Sequence, residues 1–281
     1  MKILLTGVNG FVGKNIYEKL RNEYDFLAPT RLELDLTDGK KVDDFFNKNK
    51  IDVVIHAAIV GGSTAAEQVD SALSQNLRMF FNIVRNKHKF GKMINLGSGA
   101  EYDKSKSIVD VKESDFDKNI PVDDYGFFKY ICSKYIEGQD DIVSLRIFGL
   151  FGKHEDYRYR FISNAICQNL AGLPITISQN VYFTYVYIDD FVKIVDFFIN
   201  HEAKYKFYNI GNGEKIDLLT IARIINEVAE KKSEVVVKNE GLNDEYTCDN
   251  KRLKKELGDF KFLDIKKCIK ILYDWYENEK Y

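Results

Sequence analysis

A tyrosine and a lysine stand four residues apart at Tyr125 and Lys129, in the stretch "YGFFK". On a helix this spacing places both side chains on one face. A phenol loses its proton only near pH ~10, but a neighbouring ammonium favours the phenolate, so such a pair can move a proton at neutral pH. The same spacing is typical of one turn of a buried helix, and the chain holds 17 tyrosines. The elements around the pair therefore decide between chemistry and packing.

A serine precedes the pair at the end of a β-rich run, where Ser98 follows "INLG" in "INLGSGAEYD". Ligands of parallel α/β sheets bind outside the carboxyl ends of the strands, so Ser98 is predicted to face a bound molecule. Its hydroxyl can hydrogen-bond an oxygen that is being reduced or oxidised while Tyr125 passes the proton. We therefore predict that Ser98, Tyr125 and Lys129 are the catalytic residues of a reaction between a carbonyl and an alcohol.

Short β-rich runs alternate with longer helical patterns in the first half of the chain. Such apolar runs are typical of strands buried on both faces of a parallel sheet. They cover 2–5, 52–58, 92–98 and 141–148. Between the first runs, apolar residues recur at helical spacing over 11–22 and 38–49, and Thr37 is the expected N-cap of the second helix. Repeated βαβ units predict the α/β class with a doubly wound parallel sheet of Rossmann type.

The second half of the chain is less regular and is predicted to form a smaller mixed lobe that binds substrate. Regularity ends after residue 149, and a strand and a helix return over 182–201. Helical patterns follow at 217–231 and 264–279. The predicted dinucleotide-binding domain is therefore 1–148, with 182–201 returning to it. The predicted substrate lobe is 149–181 together with 202–281.

Glycines stand at three-residue spacing in "LLTGVNGFVGKNIYEKL", between the first strand and the first helix. Glycine permits a tight turn there and lets backbone N–H groups and the positive helix end approach a pyrophosphate. Glycines at such a turn often serve the turn alone, but this position after a buried strand favours dinucleotide binding. The cofactor contacts predicted here are Gly7, Gly10, Phe11, Val12 and Gly13.

The choice of dinucleotide is predicted from the end of the second strand, in "FLAPTRLELDLTD". A carboxylate there holds the ribose of NAD, whereas an arginine accommodates the 2′-phosphate of NADP. Arg31 can direct two donors at a phosphate, which favours NADP(H) and leaves NAD(H) as the alternative. In that alternative Arg31 is an ordinary solvated charge and Glu33 or Asp35 holds the ribose. Asp35 comes late for that role, and we place it with Leu36 near the adenine.

Composition points to a small-molecule partner. Lys and Arg number 41 against 43 Asp and Glu, a formal net charge of −2, so there is no basic footprint for nucleic acid or an anionic membrane. The apolar run in "MKILLTG" is too short for a signal peptide or a membrane span, and we expect a cytoplasmic protein. The four cysteines lack CxxC spacing, so we expect no metal site and no disulfide framework.

Taken together, these motifs resemble the extended short-chain dehydrogenase/reductase family of sugar-nucleotide epimerases, dehydratases and reductases, over essentially the whole chain. Further matching stretches are "IDVVIHAA", "RIFGLFG", "FTYVYIDDF" and "FYNIGNGEKIDLLTIARII". Within the family, "TRLELDLTD", "AAIVGG" and "LGSGAEY" most resemble GDP-fucose synthases and other 4-keto-sugar reductases. The resemblance implies a Ser98–Tyr125–Lys129 triad in which Lys129 also holds the nicotinamide ribose. It implies further that Ala57 and Ala58 flank the cofactor, and it adds Asn76 as a candidate member of the proton relay.

Departures from the family pattern narrow the reaction. Fucose synthases pair a cysteine two residues beyond the triad serine with a histidine to invert two carbons; this chain has Ala100 there and keeps His154. The 4,6-dehydratases need an Asp-Glu pair where this chain has Gly99 and Ala100. Phe183 replaces the arginine that clamps the substrate diphosphate, so either Arg158 or Arg160 takes over or the substrate differs. The tentative substrate contacts are Ser98, Ala100, His154 and Arg160; solvent exposure is the alternative for His154.

The function expected from these features is NADP-dependent reduction of a nucleotide-linked 4-keto-6-deoxy sugar, for surface polysaccharide biosynthesis. An NAD-dependent nucleotide-sugar 4-epimerase is the alternative, because it uses the same triad. A non-catalytic cofactor-sensing relative is disfavoured by the intact triad. Helices over 74–87 and 123–138 carry the apolar patterns with which family members form a dimeric four-helix bundle, so we expect a homodimer.

Overall fold

The predicted alternation of strands and helices is present in the computed structural model, which describes residues 1–61 and 71–279. Gly62 of "AAIVGG" and the predicted lobe's last residues, 280–281, lie outside that description. The strands are β1 (Lys2–Thr6), β2 (Asp25–Leu27), β3 (Ile51–His56), β4 (Phe90–Ser98), β5 (Ile108–Val111), β6 (Ile142–Ile147), β7 (Gly149–Phe151), β8 (Ile175–Asn180), β9 (Tyr182–Tyr187), β10 (Phe207–Ile210), β11 (Lys215–Asp217), β12 (Val235–Leu242) and β13 (Tyr246–Cys248). The helices of the described ranges are α1 (Phe11–Leu20), α2 (Gly39–Lys48), α3 (Ala72–Val84), α4 (Asp124–Ile136), α5 (Phe161–Leu170), α6 (Ile188–Asn200), α7 (Leu218–Val228), α8 (Lys251–Leu257) and α9 (Ile265–Glu279).

The main sheet is parallel throughout and runs in the order β10-β6-β4-β3-β1-β2. The chain order reverses direction beside β1 and β3, which is the arrangement of a doubly wound sheet. Thr6 is in register with His56, and Ser98 with Ile147. These residues therefore meet at the carboxyl edge, and the predicted fold class is confirmed.

Two hydrophobic cores cover the opposite faces of this sheet. Alternate residues of β1 divide between them: Ile3 and Leu5 belong to the core that includes α1 and α6, and Leu4 to the core that includes α2, α3 and α4. Successive strand side chains point to opposite faces, so a strand covered on both sides must be apolar at nearly every position. This requirement explains the uninterrupted apolar runs in the sequence.

The smaller lobe contains a mixed sheet in the order β11-β9-β13-β5, with β7 also paired to β9, and a separate β8–β12 pair. The strands of the two sheets do not follow the domain boundaries predicted from the sequence. Within 182–201, α6 packs beside α1, but β9 belongs to the second sheet. Conversely, β5 comes from the first segment and pairs with β13, while β10 extends the main sheet. The division at 148 remains a prediction, with these exchanges across it.

The N-cap of α2 is Asp38, and the predicted cap, Thr37, is wrong. Asp38 caps α2, accepting from the N–H groups of Lys40 and Lys41 at 3.1 Å each, while Thr37 instead donates to Asp35. Asp38 lies one residue nearer the helix, which lets its carboxylate reach those donors. All four cysteines are free thiols. Among the described helices, none combines the length and apolar character needed to cross a membrane.

Candidate active site

The glycine turn is shaped for close backbone approach. Gly7 has φ +73°, and a Cβ added to it would lie 2.6 Å from the Ala58 nitrogen. A Cβ on Gly13 would lie 2.1 Å from the Gly7 oxygen, so α1 packs directly against the turn. Gly10 precedes α1 and offers no side-chain cap to its first N–H groups. Those donors and the positive helix end fit a pyrophosphate.

The end of β3 is fastened to the same turn through Thr6. The Thr6 hydroxyl accepts hydrogen bonds from the Ala57 and Ala58 N–H groups at 3.1 Å each, and it contacts His56 Nδ1 at 2.9 Å. This arrangement brings Ala57 and Ala58 beside Gly7, as a cofactor-flanking role requires. Burial, aided by Lys129, lowers the pKa of His56 to about 3, so the imidazole is neutral. Its Nε2 has no partner among the described residues.

The residues predicted to select the dinucleotide lie on the exposed segment after β2. Glu33 is folded back on Thr30, accepting from its N–H at 2.7 Å and from its hydroxyl at 2.9 Å, and these bonds lower the pKa of the carboxyl. Asp35 accepts two hydrogen bonds from Thr37, which likewise lower its pKa. Arg31 is exposed and donates to Gln75 at 3.3 Å. One nitrogen of the exposed guanidinium has this partner, whereas each carboxylate accepts two shorter hydrogen bonds, so Arg31 is more open to a ligand than Glu33 or Asp35.

The three predicted catalytic residues come together at the carboxyl edge of the main sheet. Asp123 caps α4, so Tyr125 stands in the first helical turn and Lys129 one turn later. The Lys129 ammonium is buried and donates to the Leu96 carbonyl at 2.5 Å, two residues before Ser98 in β4. It lies 5.8 Å from the centroid of the Tyr125 ring. This hydrogen bond ties the helix that carries Tyr125 to the strand that ends in Ser98.

A second cation and a helix-like turn complete the immediate surroundings. The ammonium of exposed Lys104 lies 5.7 Å from the Tyr125 ring centroid, so two positive charges face that phenol. Residues Gly99–Tyr102 form a short 3₁₀ turn whose first N–H groups are capped by Ser98: its hydroxyl accepts from the Ala100 N–H at 3.1 Å. Ala100 is buried at the centre of this turn. The sequence prediction did not include Lys104, although this lysine follows the serine motif closely along the chain.

A buried ion pair behind Ser98 was missed from the sequence. Glu101 accepts from the Ser98 N–H at 2.9 Å and from Arg146 Nε at 2.7 Å, and both charged side chains are fully buried. The Arg146 guanidinium lies 4.2 Å from the ring centroids of Phe116 and Phe207. An arginine inside the apolar strand run "SLRIF" is the signal that could have revealed it, because a buried charge requires a partner.

A phenol from the smaller lobe was also missed. Tyr246 begins β13, and a Cβ added to Gly99 would lie 2.6 Å from the Tyr246 hydroxyl oxygen. Its ring centroid lies 4.8 Å from that of Phe148 and 5.9 Å from that of Phe183. Phe183 thus joins an aromatic wall at the position of the family's arginine. No periodicity in the sequence connects residue 246 with residue 98.

The remaining predicted residues have other neighbours. The Asn76 side chain pairs with both backbone polar groups of Val60, at 2.8 and 2.9 Å. His154 has φ +71°, its Nε2 lies 3.0 Å from a Glu18 carboxylate oxygen, and its ring packs against Trp275. Arg160 is exposed, and its positive charge partly offsets the rise in pKa that burial causes at the nearby Glu155 carboxyl. Their roles toward substrate stay predictions.

Arg158, the other arginine considered for the diphosphate, pairs with Asp156 through two hydrogen bonds at 2.7 and 2.9 Å. The aromatic stretch 182–187 is mostly buried from residue 184 onward, in line with a core role. Among the described residues, no cluster of three or more His, Cys, Asp or Glu side chains is arranged to hold a metal ion.

Known proteins match this chain in sequence and in fold. The profile of the family described as "NAD dependent epimerase/dehydratase family" matches residues 3–211. GDP-L-colitose synthase of Yersinia pseudotuberculosis is 38% identical over 109 residues, which is 37% of this chain and 35% of that protein. ADP-L-glycero-D-manno-heptose-6-epimerase of Brachyspira hyodysenteriae is 25% identical over 95% of both chains. The GDP-mannoheptose C4 reductase of Campylobacter jejuni, solved with NADP bound, superposes with a TM-score of 0.82 at 20% identity, over 98% of each chain.

Proposed function

Because the chain belongs to the NAD-dependent epimerase/dehydratase family, we propose that it is an NADP-dependent reductase of a nucleotide-linked 4-keto-6-deoxy sugar. The observation that carries this proposal is the composition of the turn after Ser98. Gly99 and Ala100 bring no acid or base to the site, and the adjoining Glu101 is occupied by Arg146 and the Ser98 N–H. Elimination of water, and inversion of the carbons beside the 4-keto group by deprotonation, each need a further acid or base, whereas reduction of a carbonyl needs one proton donor.

The chain's own residues support the proton half of that reaction. A bound nicotinamide supplies or accepts the hydride, and the glycine turn at Gly7, Gly10 and Gly13 is the site that would hold its pyrophosphate. Ser98 donates a hydrogen bond to the substrate oxygen, and Tyr125 gives that oxygen its proton. Lys129 and Lys104 stabilise the phenolate left behind, because both ammonium groups lie within 6 Å of the ring.

The test is the consumption of NADPH, followed by its absorbance, with GDP-4-keto-6-deoxymannose as the substrate. Tyr125→Phe should lower kcat by about 10²–10⁴-fold while NADPH still binds, since only the proton donor is lost. Tyr135→Phe is the matched control, because that ring lies on the same helix but packs against Phe80 and Phe81 of α3. Turnover that is unchanged in Tyr125→Phe would refute the assigned role.

The second candidate function is a 4-epimerase, because epimerases of this family use the same triad of Ser98, Tyr125 and Lys129. Purified protein that carries bound NAD and interconverts UDP-glucose and UDP-galactose without added cofactor would replace the reductase proposal. Protein that turns over neither sugar nucleotide yet binds the dinucleotide would favour a cofactor-sensing relative. A thermal-shift panel of GDP-, UDP-, CDP- and dTDP-sugars identifies which nucleotide base the substrate carries, because a ligand that binds the folded state raises the melting temperature.

The preference for NADP(H) is proposed from Arg31, the exposed guanidinium after β2. A charge-assisted pair with the 2′-phosphate contributes about 1.5–3 kcal/mol, or about 10- to 150-fold in affinity. Arg31→Leu should weaken NADP⁺ binding by that factor and leave NAD⁺ binding nearly unchanged in isothermal titration. Equal weakening of both dinucleotides, or of neither, would show that Arg31 does not read the phosphate.

We also propose a homodimer through α3 and α4, which pack side by side. Phe81 of α3 keeps 38% of its surface exposed beside Tyr135 of α4, an apolar edge that a second copy would cover. Light scattering should give twice the chain mass of 32.6 kDa at micromolar concentration. A monomer mass there would contradict the dimer.

A further inference from the structure

Glu101 is a buried carboxylate that accepts hydrogen bonds from three elements around the active site. Its side chain is fully buried, and Oε1 accepts from the Ser98 N–H at 2.9 Å, at the end of β4. Oε2 accepts from the Ser133 hydroxyl of α4 at 2.6 Å and from Arg146 Nε of β6 at 2.7 Å. One side chain therefore fastens two strands and a helix together.

Two of these elements carry the three predicted catalytic residues. Ser98 ends β4, and on α4 Ser133 follows Lys129 by one turn and Tyr125 by two turns. Residues four apart share a helix face, so the face that presents Tyr125 and Lys129 also donates to Glu101. Lys129 already ties α4 to β4 through a backbone carbonyl. Glu101 adds a second tie, at the end of the strand.

The orientation of the Glu101 carboxylate is fixed by its cation. The Arg146 guanidinium is packed against the rings of Phe116 and Phe207, 4.2 Å from each centroid. Its Nη1 donates to the Tyr102 hydroxyl at 3.1 Å. A buried carboxylate that turned away from its paired cation would lose the interaction that compensates its burial. The donors on β4 and α4 are therefore held by an acceptor that does not move.

We propose that Glu101 is a positioning residue that holds the Ser98 backbone and α4 at the separation where Ser98 and Tyr125 act on one oxygen. The fully buried side chain exerts this role through the elements it fastens. The inference rests on the proposed function only in that Ser98 and Tyr125 meet the same substrate oxygen, which the 4-epimerase requires equally. Misplacement by about 1 Å can lower a rate about 10²-fold, so loss of the tie should appear in kcat.

Two double variants separate this tie from the charge of the ion pair. Both contain Arg146→Met, so that no uncompensated cation stays buried. The amide variant adds Glu101→Gln, whose oxygen can accept from the Ser98 N–H and whose NH₂ group can donate to the Ser133 hydroxyl. The apolar variant adds Glu101→Met, which can form neither hydrogen bond. Uncharged replacements of a buried ion pair commonly leave a protein folded, so both variants can be assayed.

Turnover per bound dinucleotide measures the positioning. The first probe is GDP-4-keto-6-deoxymannose with NADPH, and the second is UDP-galactose without added cofactor. The amide variant should keep most of the wild-type kcat, whereas kcat of the apolar variant should fall about 10- to 100-fold. The KM for NADPH should be the same in both variants, because the glycine turn is untouched.

Glu113→Gln is the matched control for a change at a buried carboxylate. Glu113 also accepts from a backbone N–H, that of Asn209 at 2.9 Å, and also pairs with an arginine, Arg252 at 3.6 Å. These partners lie on β10 and α8, outside the elements that carry the catalytic residues. Glu113→Gln should therefore keep the wild-type kcat.

Hydrogen exchange of the Ser98 amide tests the same tie without substrate. A buried amide that is bonded to a fixed acceptor exchanges slowly. By NMR, this amide should exchange at least about 10-fold faster in the apolar variant than in the amide variant. The Ile94 amide of the same strand is the internal reference for global opening. Near-ultraviolet circular dichroism and NADP⁺ affinity, both unchanged, show that each variant is folded.

The outcomes separate this inference from the proposed function. Equal kcat in the two double variants overturns the positioning role, on whichever probe is turned over. Turnover of UDP-galactose alone overturns the reductase and still allows the two variants to be compared. If neither probe is turned over, the proposed function fails and the exchange measurement decides alone. Ser98 exchange rates that are equal in the two variants then overturn the tie, and faster exchange in the apolar variant supports it.

Discussion

Glu155 in the smaller lobe is predicted to make the stability of this protein depend on pH. Its side chain is 6% exposed, and Ser163 donates to one carboxylate oxygen. The other oxygen has no partner in the part of the chain that is described. Burial raises the pKa of the carboxyl from 4.5 to about 7, against a partial opposing effect of Ser163 and Arg160. The folded protein therefore keeps this carboxyl protonated where the unfolded chain ionises it.

The sign and size of the effect follow from that difference. Below pH 4.5 both states are protonated and ionisation of Glu155 costs nothing. As the pH rises towards about 7 the unfolded chain releases its proton first, so the free energy of unfolding falls. At about 1.4 kcal/mol per pH unit, the whole loss is about 3 kcal/mol, of which about 2.5 kcal/mol falls between pH 5 and pH 8.

Glu155→Gln isolates this effect, because the amide has the same shape, accepts from Ser163 and does not titrate. Urea unfolding of both proteins is measured at about pH 5 and about pH 8, and the stability difference between them should shift in favour of the variant by about 2.5 kcal/mol at the higher pH. Glu202→Gln, at a side chain that is 93% exposed, serves as the control. A difference that is the same at both pH values would refute the reasoning.

Two further predictions concern the cofactor turn and the buried ion pair. Gly13→Ala should weaken NADP⁺ binding more than about 10-fold in isothermal titration, because the added Cβ would lie 2.1 Å from the Gly7 oxygen. Gly138→Ala is the control and should leave NADP⁺ binding unchanged, because the atom nearest to its added Cβ would be 3.8 Å away. Arg146→Met leaves Glu101 charged and buried, so urea unfolding should show a loss of about 3–5 kcal/mol. Adding Glu101→Gln should restore much of that stability, and a double variant no more stable than Arg146→Met would argue against an uncompensated charge as the cause.

Local sequence patterns determined the main sheet and the centre of the site. Runs such as "DVVIHAA" are apolar because both faces of β3 are buried, and the glycine turn lies where β1 meets α1. Tyr125 and Lys129 share a helical face by spacing alone. Ser98 ends β4, and the carboxyl ends of parallel strands necessarily meet at one edge. These features depend on neighbours within a few residues or on the regularity of βαβ units.

Only the tertiary structure decided which distant residues surround that centre. Glu101 lies beside Arg146 because β6 pairs with β4. Tyr246 lies over Gly99, the residue after Ser98, because β13 inserts between β5 and β9 in a second sheet, an arrangement that no repeat or periodicity encodes. Pairing between strands so far apart in sequence depends on complementary surfaces that form only when the chain is folded. The sequence therefore determined the reacting groups, and the folded lobes determined which residues pack behind Ser98 and over Gly99.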